Sequence, residues 1–261
     1  MSTLQAALET VQRAAPRGVL IVSGTGTGVG KTVVTAALAA LARASGNRVA
    51  VVKPAQTGIA PSTDTPATAA TAATADPNPE IPDMETVTRL SGVTDTHELV
   101  RYPDPLSPEA AARVSGLAPL DMTAAADYVA KLATERDLVL VEGAGGLLVR
   151  YDPAGATIAD LAIALDAPVV TVAAAGLGTL NHTALTLAAL AERKIISVGV
   201  VIGSWPGRPG LAEHTNLADL QVVAGGPLAG ILPENASLLT RAAFLSMAQV
   251  ALSPRLGGHR P

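Results

Sequence analysis

Six short runs of aliphatic residues recur along this 261-residue chain, at Val19–Ser23, Val49–Lys53, Leu138–Glu142, Val169–Ala173, Val198–Ile202 and Leu228–Leu232. Most are apolar at successive positions rather than at every second one, the pattern of strands covered on both faces. Ala- and Leu-rich stretches of helical length stand between them, at Thr32–Ala44, Met122–Thr134, Thr183–Arg193 and Leu211–Val223. Such β-α alternation leaves few solutions. It predicts a three-layer α/β domain: a doubly wound, mainly parallel sheet flanked by helices, one domain over residues 1–261. With 49% hydrophobic and 15% charged residues the chain can fill such a core, and five aromatics in all make that core aliphatic.

Three segments fall outside the rhythm. Residues 1–17 carry Glu9 and lack both a basic start and an unbroken apolar stretch, so they are not a secretory signal. Leu4, Leu8 and Val11 there have helical spacing, which reads as a short amphipathic helix or a frayed leader. Residues 60–79 contain only Ala, Thr, Pro, Asp, Ser and Asn, four of them proline, and predict a flexible surface loop. Residues 253–261 read as a fraying tail.

Several function classes drop out. A net charge of −4 with scattered basic residues gives no footprint for nucleic acid or an anionic membrane. The absence of cysteine removes disulfides, thiolate metal sites and cysteine nucleophiles. The longest apolar run, Ala167–Leu177, is far short of the ~20 residues that span a bilayer, so the chain reads as soluble and cytoplasmic. His97, His214 and His259 lack zinc-site spacing, a lone histidine at a helix start such as His182 reads as structural, and Ser107 and Ser204 lack a nucleophile-elbow pattern.

The strongest chemical signal is Gly24-Thr25-Gly26-Thr27-Gly28-Val29-Gly30-Lys31-Thr32, between an apolar strand and a helix. That context suits a phosphate-binding loop of the P-loop NTPase type, although Thr25 stands where the G-x-x-x-x-G-K-[ST] template has its first glycine. Backbone N–H groups would wrap the phosphates, Lys31 would meet the β/γ oxygens and the Thr32 hydroxyl would ligate Mg²⁺. A second signal, Lys53-Pro54-Ala55-Gln56-Thr57-Gly58, ends another strand and puts a second cation at the same sheet edge. A third, Val141-Glu142-Gly143-Ala144-Gly145-Gly146, offers a carboxylate for a nucleotide-bound metal and glycines for close backbone approach. Asp83 opens the helical stretch Met84–Leu90, where an N-cap is the default role.

In order along the chain, GTGTGVGKT, VVKPAQTG, VEGAGG, AAGLGTLNH and VVIGSWP resemble the dethiobiotin synthetase family over roughly Val19–Leu239. The resemblance implies an ATP- and Mg²⁺-dependent ligase that carboxylates 7,8-diaminononanoate with CO₂ and closes the ureido ring through a carbamic–phosphoric anhydride. It implies that Gly28, Val29, Gly30, Lys31, Thr32 and Val33 wrap the triphosphate. Lys53 matches the active-site lysine near the carbamate, and Thr57 a hydroxyl that contacts substrate. Glu142, and less firmly Asp83, match metal-ligating carboxylates beside Thr32, with Gly143, Ala144 and Gly145 approaching the nucleotide. Gly178, Thr179, Leu180 and Asn181 would receive the substrate carboxylate from a second subunit, which implies a homodimer with its sites near the interface.

One departure concerns the base. Members that select adenine usually place an asparagine where this chain has Gly203, followed by Ser204, so the expectation is relaxed nucleotide choice (ATP or another NTP). Pro233, Glu234 and Asn235 would supply base and ribose contacts instead. Among rivals, a partitioning ATPase of the related deviant P-loop type needs a lysine where Gly26 stands. A glutamine-dependent amidoligase needs a cysteine and another domain. A regulatory nucleotide-binding domain without catalysis would have no need of Lys31, Lys53 and Glu142 together.

Overall fold

All six apolar runs are strands in the computed structural model, which describes residues 18–59 and 81–260, and a seventh strand joins them. They are β1 (Gly18–Gly24), β2 (Val49–Thr57), β3 (Thr96–Tyr102), β4 (Leu138–Gly146), β5 (Val169–Ala173), β6 (Ser197–Trp205) and β7 (Gly230–Pro233). They form one sheet in the order β3-β2-β4-β1-β5-β6-β7, with every neighbouring pair parallel. The run THELVRY of β3 has no unbroken apolar stretch to betray it. It is an edge strand paired only with β2, and its residues are mostly half-buried, so it tolerates His97, Glu98 and Arg101.

Eight α-helices cover the sheet among the described residues: α1 (Lys31–Ala44), α2 (Asp83–Ser91), α3 (Pro108–Ser115), α4 (Met122–Glu135), α5 (Ile158–Ala164), α6 (Thr179–Glu192), α7 (Leu211–Ala224) and α8 (Arg241–Ala251). Local chemistry starts them. Asp121 accepts from the N–H groups of Thr123 and Ala124 to cap α4, and Thr157 with Asp160 forms a capping box for α5.

Successive residues of a strand serve opposite layers. Leu20 and Val22 of β1 and Leu140 of β4 pack with Val34, Leu38 and Leu41 of α1, Leu90 of α2 and Phe244 of α8. Ile21 of β1 and Val139 and Val141 of β4 pack instead with Val129 of α4, Ile158 of α5 and Leu190 of α6. That two-sided burial is why the strand sequences do not alternate. The chain reaches β4 on one side of β1 and then crosses to β5 on the other. Loops leaving the carboxyl ends of β1, β2 and β4 therefore open a crevice at the centre of the sheet, where ligands of open α/β folds bind.

The expected leader and the expected 60–79 loop lie outside the described residues. Over residues 253–260 the expected tail is held in place. Ser253 N–H donates to the Ala229 carbonyl (2.8 Å) and Arg260 N–H to the Leu252 carbonyl (2.9 Å), while Leu256 joins the core beside α1 and α8. Its place at the end of the chain suggested a loose segment, but Leu256 finds a socket in the core. No helix among the described residues is long and apolar enough to cross a membrane.

Candidate active site

β1 ends at Gly24 and α1 begins at Lys31, so the glycine-rich segment is the connection itself. Gly28 (φ +74°) and Gly30 (φ +96°) occupy the left-handed region that admits glycine at little cost. Thr25 N–H donates to the Val172 carbonyl at 2.9 Å and ties the loop to β5. The first turn of α1 has neither an acidic residue nor a side-chain cap, leaving its N–H groups and positive dipole end for an anion. The buried Lys31 ammonium arches back over the loop and donates to the Gly26 carbonyl at 2.8 Å. Burial, and then the nearby Lys53 cation, lower its pKa to about 8.

Behind the loop three chain segments meet. Lys53 Nζ lies 2.6 Å from Asp83 Oδ2 and 2.8 Å from Glu142 Oε1, and 3.4 Å from the Gly143 carbonyl oxygen. The Thr32 hydroxyl is 2.8 Å from Asp83 Oδ1 and 2.8 Å from Glu142 Oε1. Lys53 and Glu142 are buried. For Lys53 the desolvation cost of burial is outweighed by the two flanking carboxylates, which raise its pKa and keep it protonated. Burial raises the Glu142 carboxyl, helped by repulsion from Asp83. The Asp83 carboxyl also feels burial, but Lys53 and the Thr32 hydroxyl hold it below its ordinary value. One buried ammonium group and two carboxylates thus cluster behind the cradle, near enough for their charges to act on Lys31.

The donor set fits a hard divalent cation. Glu142 Oε2 is buried and has no hydrogen-bond partner, an arrangement that is costly unless something positive completes it. Asp83 Oδ1 and Thr32 Oγ1 are the other oxygens at that place, and all-oxygen ligation suits Mg²⁺.

Asp83 is not the N-cap of its helix. Pro82 takes that position, and Asp83 is the first helical residue. Its N–H donates to Gln56 Oε1 (3.3 Å), and its carboxylate faces Lys53 and Thr32. Gln56 sits inside the Lys53–Gly58 motif, yet nothing local marks it as a backbone partner of Asp83.

The remaining predicted positions scatter. Gly143, Ala144 and Gly145 continue β4 beyond Glu142, where its register with β1 shifts, and Val33 is half-buried in the first turn of α1. Thr57 is half-buried at the end of β2, and its carbonyl accepts from Gln56 Nε2 at 3.2 Å. Gly203 lies flush against the loop: a Cβ there would stand 2.1 Å from the Val29 carbonyl oxygen and 2.6 Å from Val172 Cγ1. Ser204 and the turn Pro233, Glu234 and Asn235 are exposed, and Glu234 N–H to the Trp205 carbonyl (2.7 Å) ties the tips of β6 and β7 together.

Gly178 precedes α6 in a left-handed conformation. Thr179 is turned inward, its buried hydroxyl donating to the Ala174 carbonyl at 2.7 Å, so its side chain offers nothing to a ligand. Leu180 is half-buried and Asn181 exposed. One residue further, His182 and then Leu185 line an open groove with Thr25 of the cradle, Gly146 and Leu148. The start of α6 therefore borders the cradle without entering the carboxylate cluster.

A glycine cradle at the central strand, closed by Lys31 and backed by a cluster of oxygen donors, defines a P-loop nucleotide-binding protein. Residues 18–242 match the family described as an AAA domain. Two solved structures share the fold: the septum site-determining protein MinD of Pyrococcus horikoshii complexed with Mg-ADP (TM-score 0.53, 19% identity, 92% of this chain and 94% of that one) and a ParA family ATPase of Chlorobium tepidum (TM-score 0.50, 15% identity, 92% and 95%). The particular relatives are much nearer. The ATP-dependent dethiobiotin synthetase BioD of Frankia casuarinae is 56% identical over 92% of this chain and 93% of its own length. That of Streptomyces avermitilis is 53% identical over 92% and 94%. The chain belongs to the dethiobiotin synthetase family.

Proposed function

We propose that Lys31, Thr32, Lys53, Asp83 and Glu142 carry the reaction of this family, the ATP-dependent closure of a ureido ring on 7,8-diaminononanoate to give dethiobiotin, ADP and phosphate. The observation that supports this assignment best is Lys53 Nζ lying 2.6 Å from Asp83 and 2.8 Å from Glu142, both of which also meet the hydroxyl next to Lys31. Amine and CO₂ first form a carbamate with loss of one proton. A carbamate oxygen then attacks the γ-phosphorus, ADP leaves, and the mixed anhydride results. The second amine attacks its carbonyl carbon, phosphate departs, and the ring closes.

Little covalent chemistry falls to the protein in such a sequence; positioning and cationic stabilisation dominate. The loop amides and Lys31 hold the triphosphate. Lys53 stays protonated between its carboxylates, so it acts as a fixed cation toward the carbamate and the migrating phosphoryl group rather than as a base. Thr57 orients the substrate without reacting. Thr32, Asp83 and Glu142 would hold Mg²⁺, which supplies charge neutralisation on the phosphate oxygens when bound.

Without a side-chain amide at Gly203, base selection is relaxed, and the Pro233–Glu234–Asn235 turn supplies the base and ribose contacts. The protein works as a homodimer in which Gly178 to Asn181 of one protomer face the substrate carboxylate in the other. The 94% exposure of Leu177 and the exposure of Leu185 beside that turn support a covered surface there. With no membrane-crossing helix among the described residues, the cytoplasm is the compartment that fits. The decisive experiment supplies ¹³C-bicarbonate, diamine, Mg²⁺ and ATP and follows label into a cyclic urea by NMR or mass spectrometry. Label enters with the natural chain and drops by orders of magnitude in Lys31→Ala and Lys53→Ala. Near-normal turnover in either folded variant removes that lysine from the mechanism.

A further inference from the structure

The last residues of β4, beyond Glu142, hold a peptide unit gripped from both sides. Its carbonyl, that of Gly143, faces Lys53 Nζ at 3.4 Å. Its N–H, that of Ala144, donates to the hydroxyl oxygen of Tyr151 at 2.6 Å. Carbonyl and N–H of one trans peptide point in opposite directions, so the hydroxyl fixes which way the carbonyl faces.

Tyr151 is fully buried and packs in the same cluster as Ala144, Leu147 and Ile158. Its backbone is held in turn: Tyr151 N–H donates to the Ala156 carbonyl at 2.8 Å, beside the antiparallel bridge between Arg150 and Thr157. Burial raises the phenol's pKa and keeps it neutral. Neither the motifs nor the assigned chemistry uses this residue.

We propose that Tyr151 is a positioning residue for the ligase reaction, acting through the Gly143–Ala144 peptide to hold Lys53 in its working place. The inference rests on Lys53 being the cation of the reaction. Of the three partners of Lys53, Asp83 and Glu142 are the two assigned to Mg²⁺. The Gly143 carbonyl is the one that no metal assignment claims. Donation by Ala144 N–H into the Tyr151 oxygen also polarises that carbonyl and strengthens its hold on an ammonium. Remove the hydroxyl and a buried N–H loses its partner, the peptide is free to turn, and Lys53 loses the anchor that owes nothing to the carboxylates.

The test is Tyr151→Phe, which changes one oxygen. At saturating diamine and nucleotide, kcat falls at least tenfold, while the nucleotide KM, set by the cradle, stays within twofold. The Ala144 amide proton moves upfield and exchanges faster in ¹H–¹⁵N spectra. On a Lys53→Ala background the same change costs nothing further, because the two residues act as a unit. Should Tyr151→Phe fail to fold, 3-fluorotyrosine placed at 151 keeps the shape, weakens the acceptor and gives a smaller fall in the same direction. A folded Tyr151→Phe with kcat within twofold of the natural chain overturns the inference, as do losses that add to those of Lys53→Ala. If Lys53→Ala itself keeps its activity, the reading of Lys53 falls together with this one. If Lys53→Ala is dead and Tyr151→Phe is not, only the role of Tyr151 falls.

Discussion

Gly203 gives the sharpest test of how the cradle is held. Its φ is not in the left-handed region, so backbone strain does not call for glycine here; space does. A Cβ at 203 would lie 2.1 Å from the Val29 carbonyl oxygen, against roughly 3.3 Å for an ordinary carbon–oxygen contact. It would also meet Val172 Cγ1 at 2.6 Å and Gly30 Cα at 3.1 Å. Val172 belongs to the packed core, so the loop is the part that must give way, by about 1.2 Å, the difference between 3.3 and 2.1 Å. A shift of about 1 Å in a phosphate-positioning element costs on the order of 10²-fold in rate, or about 2.7 kcal/mol at 1.36 kcal/mol per tenfold. Overpacking a tight interior costs stability by about 1–3 kcal/mol as well. Gly203→Ala is thus expected to lose about 10²-fold in kcat/KM for ATP while remaining folded by circular dichroism. Gly226→Ala, whose Cβ meets nothing within 4 Å, serves as the control and keeps its activity. Gly203→Asn fares worse than Ala and does not become an ATP-selective enzyme, because an asparagine at this strand end requires a loop seated farther out. Gly203→Ala with kcat/KM within threefold of the natural chain would refute the argument.

Three further outcomes are expected. Glu142→Gln keeps the shape but removes the charge next to the unpartnered Oε2, so the Mg²⁺ concentration for half-maximal activity rises at least tenfold; an unchanged Mg²⁺ dependence removes Glu142 from the cation site. In a competition assay CTP and GTP support turnover within about tenfold of ATP, given the absent amide at 203, and strict dependence on ATP sinks the proposed relaxed choice. At the opposite end of the sheet, burial tends to raise the Asp95 carboxyl, but hydrogen bonds from Arg136 (2.6 Å) and His97 (2.8 Å) outweigh it and hold the group below its ordinary value. A lowered folded-state pKa adds stability above the unfolded value of about 3.9 and loses it as pH falls below. The Tm gap between the natural chain and Asp95→Asn, worth under about 1 kcal/mol for so open a pair, is therefore present at pH 6 and closes toward pH 3; a gap that widens in acid contradicts the assignment.

Features that arise within a few neighbouring residues were legible before any coordinates. Val19–Ser23 could be read as a doubly covered strand, and Gly24–Thr32 as a phosphate turn, because strand burial and loop curvature are set by residues adjacent in sequence. Lys53 and Glu142 each read as closing a strand; both strands in fact run on, to Thr57 and Gly146, and sheet order brings the two residues together. Where the physical cause is the approach of distant segments, single-sequence reasoning had nothing to work on. β3 lacks an apolar run because an edge position relaxes the demand for one. Asp83 looked like a helix cap, but Pro82 takes that place and the Asp83 carboxylate meets Lys53, a residue on a distant strand. Leu256 finds its socket 200 or more residues from the α1 residues that help to form it. The glycine at 203 owes its necessity to a carbonyl on another loop, and Tyr151 owes its role to one peptide plane. Such contacts decide orientation to within an ångström, and they exist only once the sheet has assembled.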